Sequence, residues 1–153
     1  MPAPPTSRGS AAPPRLELRT LGLRFGAVRA LDGIDLSVVP GEIVALLGDS
    51  GCGKSTLLRA IAGLERPERG TIHLDGAEVG GVPPETRGVG LMFQDYALFP
   101  HLTVAENVRF GLHAHPGQAA RAIATARLEQ VGLGHRAASY PGTLSGGESQ
   151  RVA

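Results

Sequence analysis

Residues 42–62, EIVALLGDSGCGKSTLLRAIA, constrain the fold more than any other stretch of the chain. The segment opening at Glu42 is apolar from Ile43 to Leu47 and ends in Gly48, the pattern of a strand buried on both faces. Thr56–Ala62 carries its apolar residues at helical spacing, and Gly63 is a plausible stop. Between them, Gly48–Ser55 satisfies G-x-x-x-x-G-K-[ST]. Strand, glycine loop and helix in that order make an α/β domain with an anion cradle. The glycines let the backbone turn with its N–H groups inward, and the helix N-terminus adds partial positive charge there. Of 15 Lys and Arg residues, Lys54 is the only lysine. A compact ammonium on a flexible stem can reach between β- and γ-phosphates, whereas a wide planar guanidinium does not fit a loop closed around one phosphate chain. The motif also gives Ser55 a hydroxyl for Mg²⁺ and Thr56 a hydrogen bond to phosphate. Cys52 occupies a variable position, where its small side chain fits.

Composition narrows the class. A net charge of +1 gives no argument for a nucleic-acid partner. One cysteine excludes an internal disulfide and fits a reducing compartment. No apolar run approaches the roughly 20 residues of a membrane helix. Residues 1–15, rich in Pro and Ala and without an apolar h-region, read as a disordered tail and not a secretion signal.

From Leu16 the pattern becomes that of a folded domain. Leu16, Leu18, Leu21 and Leu23 suggest short half-exposed strands, and Ile34, Leu36 and Val38 alternate with polar residues as one more. Thr71–Leu74 followed by Asp75-Gly76 signals a strand and hairpin. Val89–Phe93 reads as a second buried strand. Thr103-Val104-Ala105-Glu106 is a capping box that starts a short helix. Residues 118–131 are Ala-rich, with Ile123, Ala126, Leu128 and Val131 near helical spacing. The five histidines show no metal-ligand spacing.

A second motif, Leu144-Ser145-Gly146-Gly147-Glu148-Ser149-Gln150-Arg151, has a capping box of its own in Ser145-x-x-Glu148. Joined to the phosphate loop, it resembles the LSGGQ signature of ABC transporter nucleotide-binding domains, with Glu148 where glutamine is commonest. Phe93–His101 (FQDYALFPH) is similar to the family's Q-loop, and Phe25-Gly26 to its A-loop. The resemblance covers 16–153. It implies a P-loop NTPase fold of the ABC type: a β-sheet core with the loop, and a mainly helical signature subdomain over 103–153. It implies ATP and Mg²⁺ as cofactors. ATP would be held by Phe25, stacked on adenine, and by Gly48, Asp49, Ser50, Gly51, Cys52, Gly53, Lys54, Ser55 and Thr56. Lys54 and Gln94 would be the catalytic residues, with Ser55 and Gln94 at the metal. Ser145, Gly146, Gly147 and Glu148 would act in trans on the ATP of a second subunit in a head-to-tail dimer.

The segment FQDYALFPHLTVAENV looks most like importer ATPases for ferric iron, thiamine, molybdate, sulfate or polyamines. Such a subunit couples ATP binding and hydrolysis to solute uptake. It sits on the inner face of the cell membrane, bound to permease subunits and indirectly served by an extracytoplasmic solute-binding protein. Tyr96, Leu98 and Phe99 would face the permease. Two other readings stand beside it: a non-transport ABC-type ATPase, and a truncated nucleotide-binding protein without turnover. No Walker B strand, catalytic glutamate or switch histidine of the family pattern is found in 1–153. The expectation is therefore a C-terminally truncated domain that binds ATP weakly, does not turn it over alone, and leaves the 42–47 strand short of neighbours.

Overall fold

A computed structural model describes residues 13–112 and 114–153; the tail expected over 1–15 lies outside these except for Pro13–Arg15. The chain divides into two compact units, Met1–Leu91 and Met92–Ala153.

The first unit is built on an antiparallel hairpin. Strands β1 (Leu16–Phe25) and β2 (Val28–Val38) pair from Leu16↔Val38 to Phe25↔Val28. They merge the short strands expected around Leu16–Leu23 into one. Helix α1 (Lys54–Ala62) follows, then β3 (Arg69–Leu74) and β4 (Ala77–Glu78), giving the strand order β2-β1-β3-β4. Asp75 and Gly76 both have positive φ, the geometry of the tight two-residue turn their sequence signals. Leu18, Leu21, Leu23, Leu31 and Ile72 from the strands meet Leu57, Ala60 and Ile61 from α1. The i, i+3, i+4 spacing of those three puts them on one helix face. Gly63 ends α1 in a left-handed cap: its N–H donates to Ala60 O, and Leu64 N–H donates to Arg59 O. That is the Schellman pattern, which satisfies carbonyls the helix cannot.

Two expected strands do not form. Residues 42–47 and 89–93 enter no ladder, and Ile43 (96% exposed) and Leu47 (91%) stand in solvent. An apolar run of that kind becomes a strand only where another strand pairs with it and both faces are covered. Among the described residues, neither segment pairs with a strand of the sheet, whose order is β2-β1-β3-β4.

The second unit is helical: α2 (Val104–Phe110), α3 (Gly117–Gln130) and α4 (Gly146–Val152) surround Val104, Leu128, Leu133 and Val152. Thr103 caps α2 as expected; its Oγ1 accepts from Glu106 N–H (3.3 Å) and Glu106 Oε2 accepts from Thr103 N–H (2.8 Å). Val104 and Ala105 N–H donate to the carbonyls of Ser139 and Ala137, so the other free amides of this helix start are also occupied. On α3 the buried face is Ala120, Ala124 and Leu128; of the expected row Ile123, Ala126, Leu128 and Val131, only Leu128 is on it. In an alanine-rich helix, a small residue goes wherever the neighbouring helix comes close, and apolar content alone does not mark the face. No described helix is long and apolar enough to cross a membrane.

Candidate functional site

The glycine loop leads straight into α1. Gly48, Gly51 and Gly53 all have positive φ. Gly53 is the N-cap of α1, with φ +95°. A Cβ there would lie 2.3 Å from Ala30 O, so only glycine lets the loop sit this tightly on β2. No side chain caps α1, and its first turn carries no acidic residue. Those two absences leave the helix start to an external anion.

Lys54 folds back over its own loop. Its Nζ donates to Gly48 O (2.7 Å) and Asp49 O (2.6 Å) and lies 3.4 Å from Cys52 Sγ. The ammonium is thus held across the mouth of the loop by backbone carbonyls, where it can meet phosphate oxygens entering the cradle. Ser55, the second residue of α1, is exposed, and its hydroxyl is accessible to a phosphate-bound cation. The donor set of amides, one ammonium and one hydroxyl fits a magnesium-bound polyphosphate.

Phe25 is half exposed beside the β1–β2 turn, paired with Val28. Ala30, which packs on Gly53, is two residues along the same strand, about 7 Å by strand rise. Phe25 thus belongs to the hairpin whose second strand Gly53 touches. Gly48, Asp49, Ser50, Gly51, Cys52, Gly53, Lys54, Ser55 and Thr56 form one continuous feature there.

The second unit holds the other expected residues. Gln94 is exposed, in a turn closed by Tyr96 N–H on Phe93 O (3.0 Å). Tyr96 (φ +62°) and Ala97 (φ +50°) then place two consecutive non-glycine residues in the left-handed region. Such residues cost roughly 1–3 kcal/mol each and gather at functional segments. Phe99 packs on Phe110, ring centroids 4.3 Å apart, and His101 meets its edge.

Ser145 is the N-cap of α4, followed directly by Gly146 and Gly147. Glu148 closes the capping box: its Oε2 accepts from Ser145 N–H (2.8 Å) and Ser145 Oγ accepts from Glu148 N–H (3.3 Å). Arg136 Nε donates to the other carboxylate oxygen, Oε1, at 3.2 Å. The Ser145 N–H and hydroxyl, with Arg136 behind them, lower the Glu148 carboxyl from its ordinary 4.5 to about 2. The side chain is thereby turned back onto its own helix start.

Three positioning side chains had no sequence signal. Arg87 reaches Val82 O (2.8 Å), Ala60 O and Ile61 O (both 3.0 Å), tying the end of the loop-bearing helix to the chain beyond β4. Asn107 bonds four backbone atoms of 99–103. Arg136 partners Glu148. Each acts on residues at least four positions away, and its own residue type does not announce the partner.

Comparison with known proteins identifies the family and the fold. The family model described as ABC transporter matches residues 31–153. Putrescine transport ATP-binding protein PotG of Escherichia coli (strain K12) is 47% identical over 156 residues, covering 100% of this chain and 41% of that protein. Sulfate/thiosulfate import ATP-binding protein CysA 2 of Chromobacterium violaceum is 49% identical over 139 residues, covering 90% of this chain and 38% of that protein. Among solved structures, the dimeric ATP-binding cassette MJ0796 in a post-hydrolysis state with ADP and Pi gives a TM-score of 0.78 at 31% identity. That match covers 90% of this chain and 66% of that one. The chain belongs to the ABC transporter family and has its ATPase fold. It spans about two fifths of the length of the curated relatives it matches.

Proposed function

We propose that this chain belongs to the ATP-binding subunit of an ABC importer, which uses ATP binding and hydrolysis to drive solute uptake at the inner face of the cell membrane. The observation that carries the reading is the Gly48–Thr56 loop: three glycines with positive φ, an uncapped helix start, and a lone lysine held against the loop's own carbonyls. The relatives named for putrescine transport and for sulfate or thiosulfate import support the importer class.

In this reading Phe25 stacks on adenine, and the amides of 48–53 hold the phosphates. Lys54 neutralises charge that develops on the γ-phosphoryl group, the main catalytic need in transfer to water. Thr56 bonds a phosphate oxygen. Ser55 would hold Mg²⁺, which would supply further neutralisation of phosphate charge, and Gln94 would orient the attacking water. Ser145 with the Gly146 and Gly147 backbone faces the nucleotide of a second subunit, and Glu148 serves that face by fixing the turn. The support for a pair is the dimeric state of the ADP-bound cassette whose fold this chain shares. Tyr96, Leu98 and Phe99 meet a permease subunit, which a solute-binding protein serves from outside.

Titration of the full-length protein with a fluorescent ATP analogue tests the central claim. Lys54→Ala is expected to weaken binding at least tenfold, the equivalent of about 1.4 kcal/mol. Unchanged affinity with an intact fold would overturn it.

A further inference from the structure

The Ser145 turn carries a charge that the family's usual glutamine would not bring, and a residue outside the turn answers it. Glu148 Oε2 accepts from Ser145 N–H (2.8 Å), and Oε1 accepts from Arg136 Nε (3.2 Å). The Glu148 side chain is 17% exposed and that of Arg136 36%, so solvent screens this pair less than an exposed one such as Arg15–Asp75. Arg136 is itself anchored. Its N–H donates to Leu133 O (2.9 Å), its carbonyl accepts from Ser139 N–H (2.8 Å), and Leu133 is buried in the core of this unit. The guanidinium thus ties the carboxylate to backbone that is already fixed. Within the capping box, Ser145 Oγ accepts from Glu148 N–H (3.3 Å), which leaves the O–H hydrogen to donate elsewhere.

We propose that Arg136 is a positioning residue for ATP turnover, acting through Glu148 on the Ser145–Gly147 turn. By holding Oε1, it keeps the carboxylate folded into the cap and the Ser145 hydroxyl in one orientation. The inference rests on the reading above, in which this turn meets the nucleotide of a second subunit. Two physical effects act together. A turn already ordered loses little conformational freedom when the subunits close. The Glu148 charge is also matched at short range, which reduces its repulsion of an incoming polyphosphate. A glutamine at 148 brings no charge and closes the cap with its one acceptor oxygen, so it makes no demand on Arg136. Loss of the guanidinium therefore harms turnover only while the acid is present.

The test uses the intact transporter containing the full-length subunit, with Arg136→Met, Glu148→Gln, the double variant and Ser145→Ala compared with the parent. Steady-state ATP hydrolysis gives kcat and KM, and titration with a fluorescent ATP analogue gives affinity. The expectation is that Arg136→Met lowers kcat at least fivefold, with analogue affinity within twofold of the parent. Adding Glu148→Gln to Arg136→Met then restores kcat at least threefold, a recovery that a merely structural arginine would not show. If Arg136→Met keeps more than a fifth of the parent kcat, or if the double variant recovers less than threefold, the positioning role is wrong. If Arg136→Met loses analogue affinity or assembly along with kcat, Arg136 serves general stability and the proposal is overturned. Ser145→Ala separates the two levels. Slow turnover in Ser145→Ala with normal turnover in Arg136→Met removes only the positioning role. Parent-like turnover in Ser145→Ala overturns the reading of the turn and the proposal with it.

Discussion

Gly53→Ala is the sharpest test of how the phosphate loop is built, with Gly51→Ala as its control. Both glycines have positive φ, +95° and +82°. An alanine at either position therefore bears the left-handed penalty of roughly 1–2 kcal/mol. Only Gly53 also meets a wall: its Cβ would lie 2.3 Å from Ala30 O and 3.3 Å from Leu31 Cδ2, whereas a Cβ at Gly51 meets nothing within 4 Å. Ordinary contact begins near 3.4 Å, so the loop must retreat by about 1 Å from β2. Forcing a methyl into packed backbone costs a further 1–3 kcal/mol or so. Leu31, on the other side of that contact, is buried and has little room to yield. Gly51→Ala should thus lower unfolding free energy by about 1–2 kcal/mol and Gly53→Ala by about 2–5 kcal/mol. Urea denaturation of the full-length protein reads the difference. Nucleotide titration gives a second reading, because the retreat carries Lys54 and the start of α1 with it; affinity should fall at least tenfold more for Gly53→Ala. Equal losses for the two variants would refute the claim that Ala30 dictates glycine at 53.

Arg87→Met keeps the side-chain length but removes the donors to Val82, Ala60 and Ile61 carbonyls; about 2–4 kcal/mol of stability should be lost, read in urea, with hydrogen exchange rising first at the end of α1. Leu128→Ala, at a side chain only 1% exposed, should cost about 2–5 kcal/mol by the same assay. For Glu148, folding lowers the carboxyl from 4.5 to about 2. Its contribution is fully present above pH 4.5 and lost as pH falls toward 2, so the stability difference between parent and Glu148→Gln should shrink across that window in pH-dependent unfolding.

What was legible in the sequence was what neighbours in the chain decide for themselves. Gly63 stops α1 because the six residues Arg59–Leu64 suffice to make its cap. Asp75-Gly76 turns the hairpin from within, and Thr103 and Ser145 find their glutamates three residues on. The phosphate loop falls in the same class, since its glycines, its lysine and its helix start are contiguous. What could not be read depends on distant partners. Ile43–Leu47 has the composition of a buried strand, yet pairing is a property of the neighbouring segments, and none supplies a ladder among the described residues. Likewise, the face of α3 depends on what packs there, and Ala120 and Ala124 carry no mark that separates them from Ala126. Arg87 finds carbonyls 26 and 27 residues away, a match made only by the folded chain.

The two capping boxes show how one local device is turned to two ends. Thr103–Glu106 and Ser145–Glu148 use the same reciprocal bonds, and in both the carboxyl is lowered by its capping residue. In the first, both of Glu106's bonds to Thr103, from the N–H and the hydroxyl, reach a single oxygen, Oε2. In the second, the two oxygens are divided: Oε2 takes Ser145 N–H and Oε1 takes Arg136 Nε. A glutamine at 148 could close the cap, but it has one acceptor oxygen, and its amide N–H₂ would then face the guanidinium, donor against donor. Glu148, where the family most often has glutamine, and Arg136, twelve residues earlier, are therefore complementary. The charge that glutamate brings to the signature turn is met within the unit, by Ser145 N–H on one oxygen and Arg136 Nε on the other.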